Sequence, residues 1–220
     1  MELRRGEAGG LYYLELVPEG TTAALPLLVG LHGRGAAAED LGGVCMQLDS
    51  QRYRYILLYA PLVEVLGDGI RYRWFDRERQ AETVPAARER VIAALRALWD
   101  RYHVEPRRTG LFGFSQGGVL TLDVGLHLPP EQALAGLACL SGRLFATDDL
   151  DAALARHRDQ ALLIVHGTRD DRIAVEEARA TRQRLEAAGL RPEYHEFPMA
   201  HEVTRDSLAA VRAFFHRVLP

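Results

Sequence analysis

The chain contains no lysine and no asparagine, and all 27 residues counted as Lys plus Arg are arginine. Without lysine there is no Schiff-base amine, no lysine-bound pyridoxal phosphate and no phosphate-binding Walker lysine. Without asparagine there is no N-glycosylation sequon and no asparagine side chain to serve an oxyanion hole. Cysteine is scarce as well. Cys45 and Cys139 stand far apart with no C-x-x-C spacing, so each is expected as a buried, reduced thiol. No apolar run approaches the ~20 residues that span a bilayer, and residues 1–6 lack the apolar core of a signal peptide. These absences lead us to expect a cytoplasmic protein with no stable membrane insertion. A net charge of -3, with arginines and acids interspersed, leaves no basic block to track a phosphate backbone, so nucleic acid is not an expected partner.

What is present is ordinary globular material. Hydrophobic residues make up 48% and charged residues 26% of 220, which excludes a disordered or fibrous chain and suits one domain over residues 1–220. Continuous apolar runs at 25–31, 55–61, 134–140 and 161–167 read as strands buried on both faces, and amphipathic helices are expected between them. An early edge strand is expected at 11–17, a long helix at 84–102, a last strand at 192–197 and a closing helix carrying Leu208, Val211, Phe215 and Leu219 on one stripe. Repeated alternation of strand and helix demands a doubly wound, mostly parallel α/β sheet with helices on both faces.

The run Leu111-Phe112-Gly113-Phe114-Ser115-Gln116-Gly117-Gly118 carries the chemistry. It reads as a short strand ending in G-x-S-x-G and opening into a helix. A serine at so sharp a turn needs small residues two places before and two places after it, so that strand and helix can pass; Gly113 and Gly117 supply them. The helix N-terminus beneath favours negative charge developing near Ser115.

Partners for the serine follow in chain order. Thr168-Arg169-Asp170-Asp171 opens from the strand at 161–167, on the sheet edge where open α/β proteins place their sites. Asp170 is the chosen carboxylate and Asp171 the fallback, since adjacent acids are not separated by spacing. His201 follows the last strand and is the expected general base; His195, inside that strand, reads as structural. His32, in His32-Gly33-Arg34-Gly35, precedes the serine and reads as a histidine that fixes its loop. The backbone N–H groups of Arg34 and Gln116 are the expected oxyanion donors. In this reading Ser115 attacks an acyl carbonyl, His201 shuttles the proton and Asp170 orients His201, with no metal or organic cofactor. Residues 62–80 read as a long loop holding Gly67-Asp68-Gly69 and then Arg71-Tyr72-Arg73-Trp74-Phe75-Asp76. Its aromatic pair either walls a substrate or plugs the sheet.

With these motifs in place, the chain resembles the phospholipase/carboxylesterase family of α/β-hydrolases, which includes acyl-protein thioesterases and small bacterial carboxylesterases. The resemblance rests on Leu31-His32-Gly33-Arg34-Gly35, Trp74-Phe75-Asp76, Gly113-Phe114-Ser115-Gln116-Gly117-Gly118, Leu140-Ser141-Gly142, His166-Gly167-Thr168-Arg169-Asp170 and Met199-Ala200-His201-Glu202. It implies a minimal fold without a cap domain, the triad Ser115, Asp170 and His201, and esters or thioesters of short to medium acyl chains as small-molecule substrates. It also implies that the Trp74 loop lines the acyl groove. A lysophospholipase or other acyl hydrolase is the alternative within enzymes, and a non-catalytic binder of acyl ligands is the alternative outside them. Monomer and homodimer are both compatible. Arg34 departs from the small or apolar residue common at its position, and Ala174 from the usual proline. Arg34, with Arg71 or Arg73, either meets a substrate anion or pairs with a loop acid.

Overall fold

Strands that are apolar on both sides are satisfied only between two layers of helices. The computed structural model, which describes residues 1–21, 24–66 and 69–219, places them there. The strands are β1 (Glu2–Ala8), β2 (Leu11–Val17), β3 (Leu27–Leu31), β4 (Arg54–Leu58), β5 (Leu62–Leu66), β6 (Gly69–Arg73), β7 (Thr109–Phe114), β8 (Gly136–Leu140), β9 (Leu162–Gly167) and β10 (Glu193–Phe197). The helices are α1 (Gly42–Leu48), α2 (Gln80–Tyr102), α3 (Gln116–His127), α4 (Leu150–Arg156), α5 (Val175–Ala187) and α6 (Arg205–Val218).

One sheet of eight strands runs in the order β1-β2-β4-β3-β7-β8-β9-β10. From β4 to β10 every pairing is parallel, whereas β2 joins β4 and β1 joins β2 antiparallel. The strand period of two splits each central strand between two cores. Val29, Leu111, Leu137, Cys139 and Ile164 face the core capped by α2, α3, α4 and α5. Leu28, Phe112, Ala138, Leu140 and Val165 face the core capped by α1 and α6. Each Val, Leu, Ile or Phe among them contributes roughly 1.5–3 kcal/mol by leaving water. Both cysteines are free and buried, and burial pushes the Cys139 thiol up to about 12.

This is the minimal α/β-hydrolase arrangement, with no cap domain among the described residues. No described helix is long and apolar enough to cross a membrane. Three expectations need correction. The strand at 11–17, expected at the edge of the sheet, is internal, because residues 2–8 form a further strand, β1, that pairs with it along its full length and takes the edge. Helix α2 begins at Gln80 rather than 84, its start secured by Thr83, whose hydroxyl donates to Arg79 O (2.7 Å) and accepts from the Asp76 N–H (3.1 Å). The expected loop at 62–80 contains a separate antiparallel hairpin, β5 with β6. Gly67 and Asp68, named as part of that loop, lie outside the described residues. The hairpin is fastened to the chain after β3 by Gly35 N–H donating to Tyr72 O (2.9 Å) and Tyr72 N–H to Ala36 O (3.3 Å).

Candidate active site

Strand β7 and helix α3 are joined by a single residue, Ser115, at φ 56° and ψ −116°. That backbone conformation is rare for any side-chain-bearing residue and is strained. It is held because the neighbours leave no slack. A Cβ on Gly113 would lie 2.2 Å from Gly117 O, and one on Gly117 would lie 2.0 Å from Leu31 O. Ser115 N–H donates to Leu140 O (2.9 Å), which ties the turn to the next strand.

His201 arrives on the loop between β10 and α6. Two bonds stitch that region to the end of β9: Thr168 N–H to Phe197 O (2.8 Å) and Arg169 N–H to Met199 O (3.0 Å). A capping box on Thr204 and Ser207 then starts α6. The imidazole packs against Phe114, ring centroids 4.8 Å apart, and its side chain is 10% exposed. His201 Nδ1 is 2.7 Å from Asp170 Oδ2 and Nε2 is 2.9 Å from Ser115 Oγ. A carboxylate only accepts, so Nδ1 carries the proton, and Nε2 is left to accept from the serine hydroxyl.

Asp170 is fixed more tightly than the sequence suggested. Its Oδ1 accepts from the backbone N–H groups of Arg172 and Ile173, both at 2.9 Å. Burial by itself raises this carboxyl, but those bonds and the one from His201 outweigh it and hold the group below the usual carboxylate range. Behind it lies His166, fully buried, with Nε2–H donating to Ile173 O (2.8 Å) and 3.5 Å from Asp170 Oδ2. Asp171 is exposed and takes no part in the relay.

Around the serine the two expected oxyanion donors are backbone groups of the right kind. Gly33 has its backbone against Phe114 and Ser115, and Arg34 and Gln116 both line the pocket that opens over Ser115. Among the described residues neither the Arg34 nor the Gln116 N–H donates to another protein group. His32 fixes this loop, as its place in the chain suggested. Its Nε2 accepts from Ala60 N–H (3.1 Å), so Nδ1–H donates to Gly33 O (2.7 Å), and burial lowers its basicity.

Trp74 departs from expectation, and Arg34 takes the second of its two alternatives, pairing with an acid. Trp74 is 1% exposed and does not line the pocket; its indole N–H donates to His32 O (2.8 Å), so it plugs the sheet, and Phe75 reaches the pocket in its stead. The Arg34 side chain is taken by Glu64 (3.1 Å), which also meets Arg73 (3.2 Å). The sequence reading missed a third role: the Gln116 carboxamide accepts from Trp74 N–H and donates to Phe75 O, both at 3.0 Å, and so locks that segment to the serine turn. A polar side chain at the start of a buried helix was the only signal for it. Among the described residues no group of three or more His, Cys, Asp or Glu is placed to hold a metal ion.

A family model described as phospholipase/carboxylesterase matches residues 14–219. Acyl-protein thioesterase 1 of Gibberella zeae is 25% identical over 184 residues, covering 76% of this chain and 77% of that protein. The crystal structure of esterase PE8 superimposes with a TM-score of 0.80 at 27% identity over the whole of both chains. The carboxylesterase from Mesorhizobium loti gives the same score at 18% identity, over 98% of this chain and 99% of its own, a likeness that speaks for the fold alone.

Proposed function

The chain belongs to the phospholipase/carboxylesterase family, whose model spans nearly all of it, and from that premise we propose that it is a serine hydrolase cleaving carboxylic esters or thioesters of short to medium acyl chains. The observation that carries the reading is the relay of 2.9 Å and 2.7 Å from Ser115 through His201 to Asp170. Ser115 Oγ adds to the acyl carbonyl as its proton passes to His201 Nε2. The imidazolium so formed is stabilised by Asp170, whose charge is already pinned by two backbone N–H groups. The carbonyl oxygen, now an anion, accepts from the N–H groups of Arg34 and Gln116, which cost no reorganisation because nothing else occupies them. Collapse expels the alcohol or thiol, protonated by His201, and leaves an acyl-serine. Water then adds under the same base, and the acid departs as the serine oxygen takes its proton back.

A pocket of about 590 Å³ over Ser115 gives room for a short to medium acyl group. The assembled relay argues against a protein that only captures acyl ligands. The test is covalent labelling by a fluorophosphonate together with turnover of p-nitrophenyl butyrate. Wild type is expected to label at Ser115 and turn over, and Ser115→Ala to lose labelling and at least about 10³-fold in kcat. Wild-type rates in the alanine variant, or label on another residue, would remove the proposal.

A further inference from the structure

The pocket over Ser115 is unusually cationic for one meant to hold only a neutral acyl chain. Four arginines line it, Arg34, Arg77, Arg143 and Arg172, against one acid, Glu177. Arg34 is already neutralised by Glu64. Among the described residues the other three guanidinium groups have no carboxylate within ion-pair distance. Arg77 and Arg172 are exposed, so water solvates their charge cheaply. Arg143 is different.

Arg143 is half-buried, and its hydrogen bonds go to neutral acceptors: Nη2–H to Gln80 Oε1 (2.9 Å) and Nη1–H to Leu144 O (3.2 Å). Its guanidinium carbon sits 5.8 Å from the centroid of the Phe145 ring. Orientation is therefore fixed while the charge is left uncompensated, an arrangement that costs free energy unless an anion arrives. The segment is itself strained. Ser141, fully buried at φ 46°, turns the chain sharply at the end of β8, and its N–H donates to Val165 O (2.8 Å). That turn carries Arg143 to the pocket wall beside the nucleophile.

Building on the hydrolase reading above, we propose that the substrate of this site carries an anionic group, a carboxylate or a phosphate, and that Arg143 is the residue that recognises it, with Arg172 and Arg77 adding to the local potential. The role that the sequence offered to Arg34 thus passes to a residue more than a hundred positions away. The anion can sit on the acyl part or on the leaving part of the substrate, and two pairs of probes separate these. The acyl pair is p-nitrophenyl hexanoate against the mono-p-nitrophenyl ester of adipic acid. The leaving-group pair is the butyryl thioester of N-acetylcysteamine against that of coenzyme A.

In wild type, kcat/KM is expected to favour the anionic member of one pair, by an amount that shrinks as salt is raised from 50 to 500 mM. Arg143→Gln should remove on the order of 10- to 100-fold from the anionic member and far less from its neutral partner. Arg143→Lys should restore part of the preference, and Arg34→Gln should move both members of a pair by the same factor. If Arg143→Gln changes both members equally, or wild type prefers the neutral member in both pairs, the anion proposal is overturned while the hydrolase reading stands. If wild type turns over none of the four probes, both readings fall together.

Discussion

The serine turn lines the pocket and the β5–β6 hairpin lies behind it, joined through Ala36, and the two are built on opposite rules. At the turn, Gly113 and Gly117 touch backbone oxygens so closely that no methyl group fits, and the Gln116 carboxamide has both its ends bonded. On the hairpin, Val63, Val65 and Ile70 are 57%, 77% and 59% exposed, and the backbone is fastened by the two bonds to residues 35 and 36. Chemistry that needs fixed geometry within tenths of an ångström is housed where every atom has a neighbour. The hairpin, none of whose described residues lines the pocket, is expected to tolerate substitution. The difference teaches which residues set the reaction and which are left to vary around it.

The most severe break is at Asp170. Asp170→Asn keeps the volume and an oxygen for the Arg172 and Ile173 N–H groups, but it removes the charge that stabilises the imidazolium and fixes its tautomer. We expect kcat on p-nitrophenyl butyrate to fall by roughly 10³- to 10⁴-fold, with a modest fall in Tm at neutral pH as the stabilising charge is lost. The acid limb sharpens the point. A carboxyl held below its usual value in the folded state gives stability that is present above about pH 4, the unfolded value. That contribution is lost as pH falls through the depressed folded value. Wild type should therefore lose more stability between pH 5 and pH 3 than Asp170→Asn does, measured by urea midpoint. Equal loss in both would mean that the pinned charge contributes nothing.

The next break is steric. A Cβ on Gly117 would lie 2.0 Å from Leu31 O, a backbone atom of a central strand that is unable to step aside. Gly117→Ala should cost about 3 kcal/mol or more of unfolding free energy. An unchanged denaturant midpoint would show the turn to be softer than its packing.

The same contrast decides what was legible in the sequence. Ser115 and Asp170 could be placed because each follows a strand that announces itself by an apolar run, and His201 because it follows the last strand, Glu193–Phe197, which is polar in sequence but ends on the same rim of the parallel sheet. The parallel core was legible for the same reason. The hairpin was not, although Val63-Glu64-Val65 and Ile70-Arg71-Tyr72 alternate on either side of a glycine-containing stretch. Trp74 was misplaced because its partner, His32 O, is supplied by a loop 42 positions earlier. Arg34 drew attention by adjacency to the oxyanion loop, and Glu64, 30 positions on, captures it. Long-range polar pairing leaves no periodic trace, so it is what sequence reading loses first.

The smallest effect tests the hairpin side of the comparison. Val65 is 77% exposed, so Val65→Ser removes little apolar surface that folding had buried. At about 25 cal/mol per Å² the cost should stay within about 0.5 kcal/mol, and kcat/KM on p-nitrophenyl butyrate should stay within about twofold. The result is informative because the substitution is chemically larger than Gly117→Ala, trading two methyl groups for a hydroxyl, while the expected loss of stability is several times smaller. Burial and room, rather than the size of the chemical change, then set the outcome. A loss at Val65 comparable to that at Gly117 would show that the hairpin is packed as tightly as the turn and would erase the distinction between a fixed reaction centre and a permissive hairpin behind it.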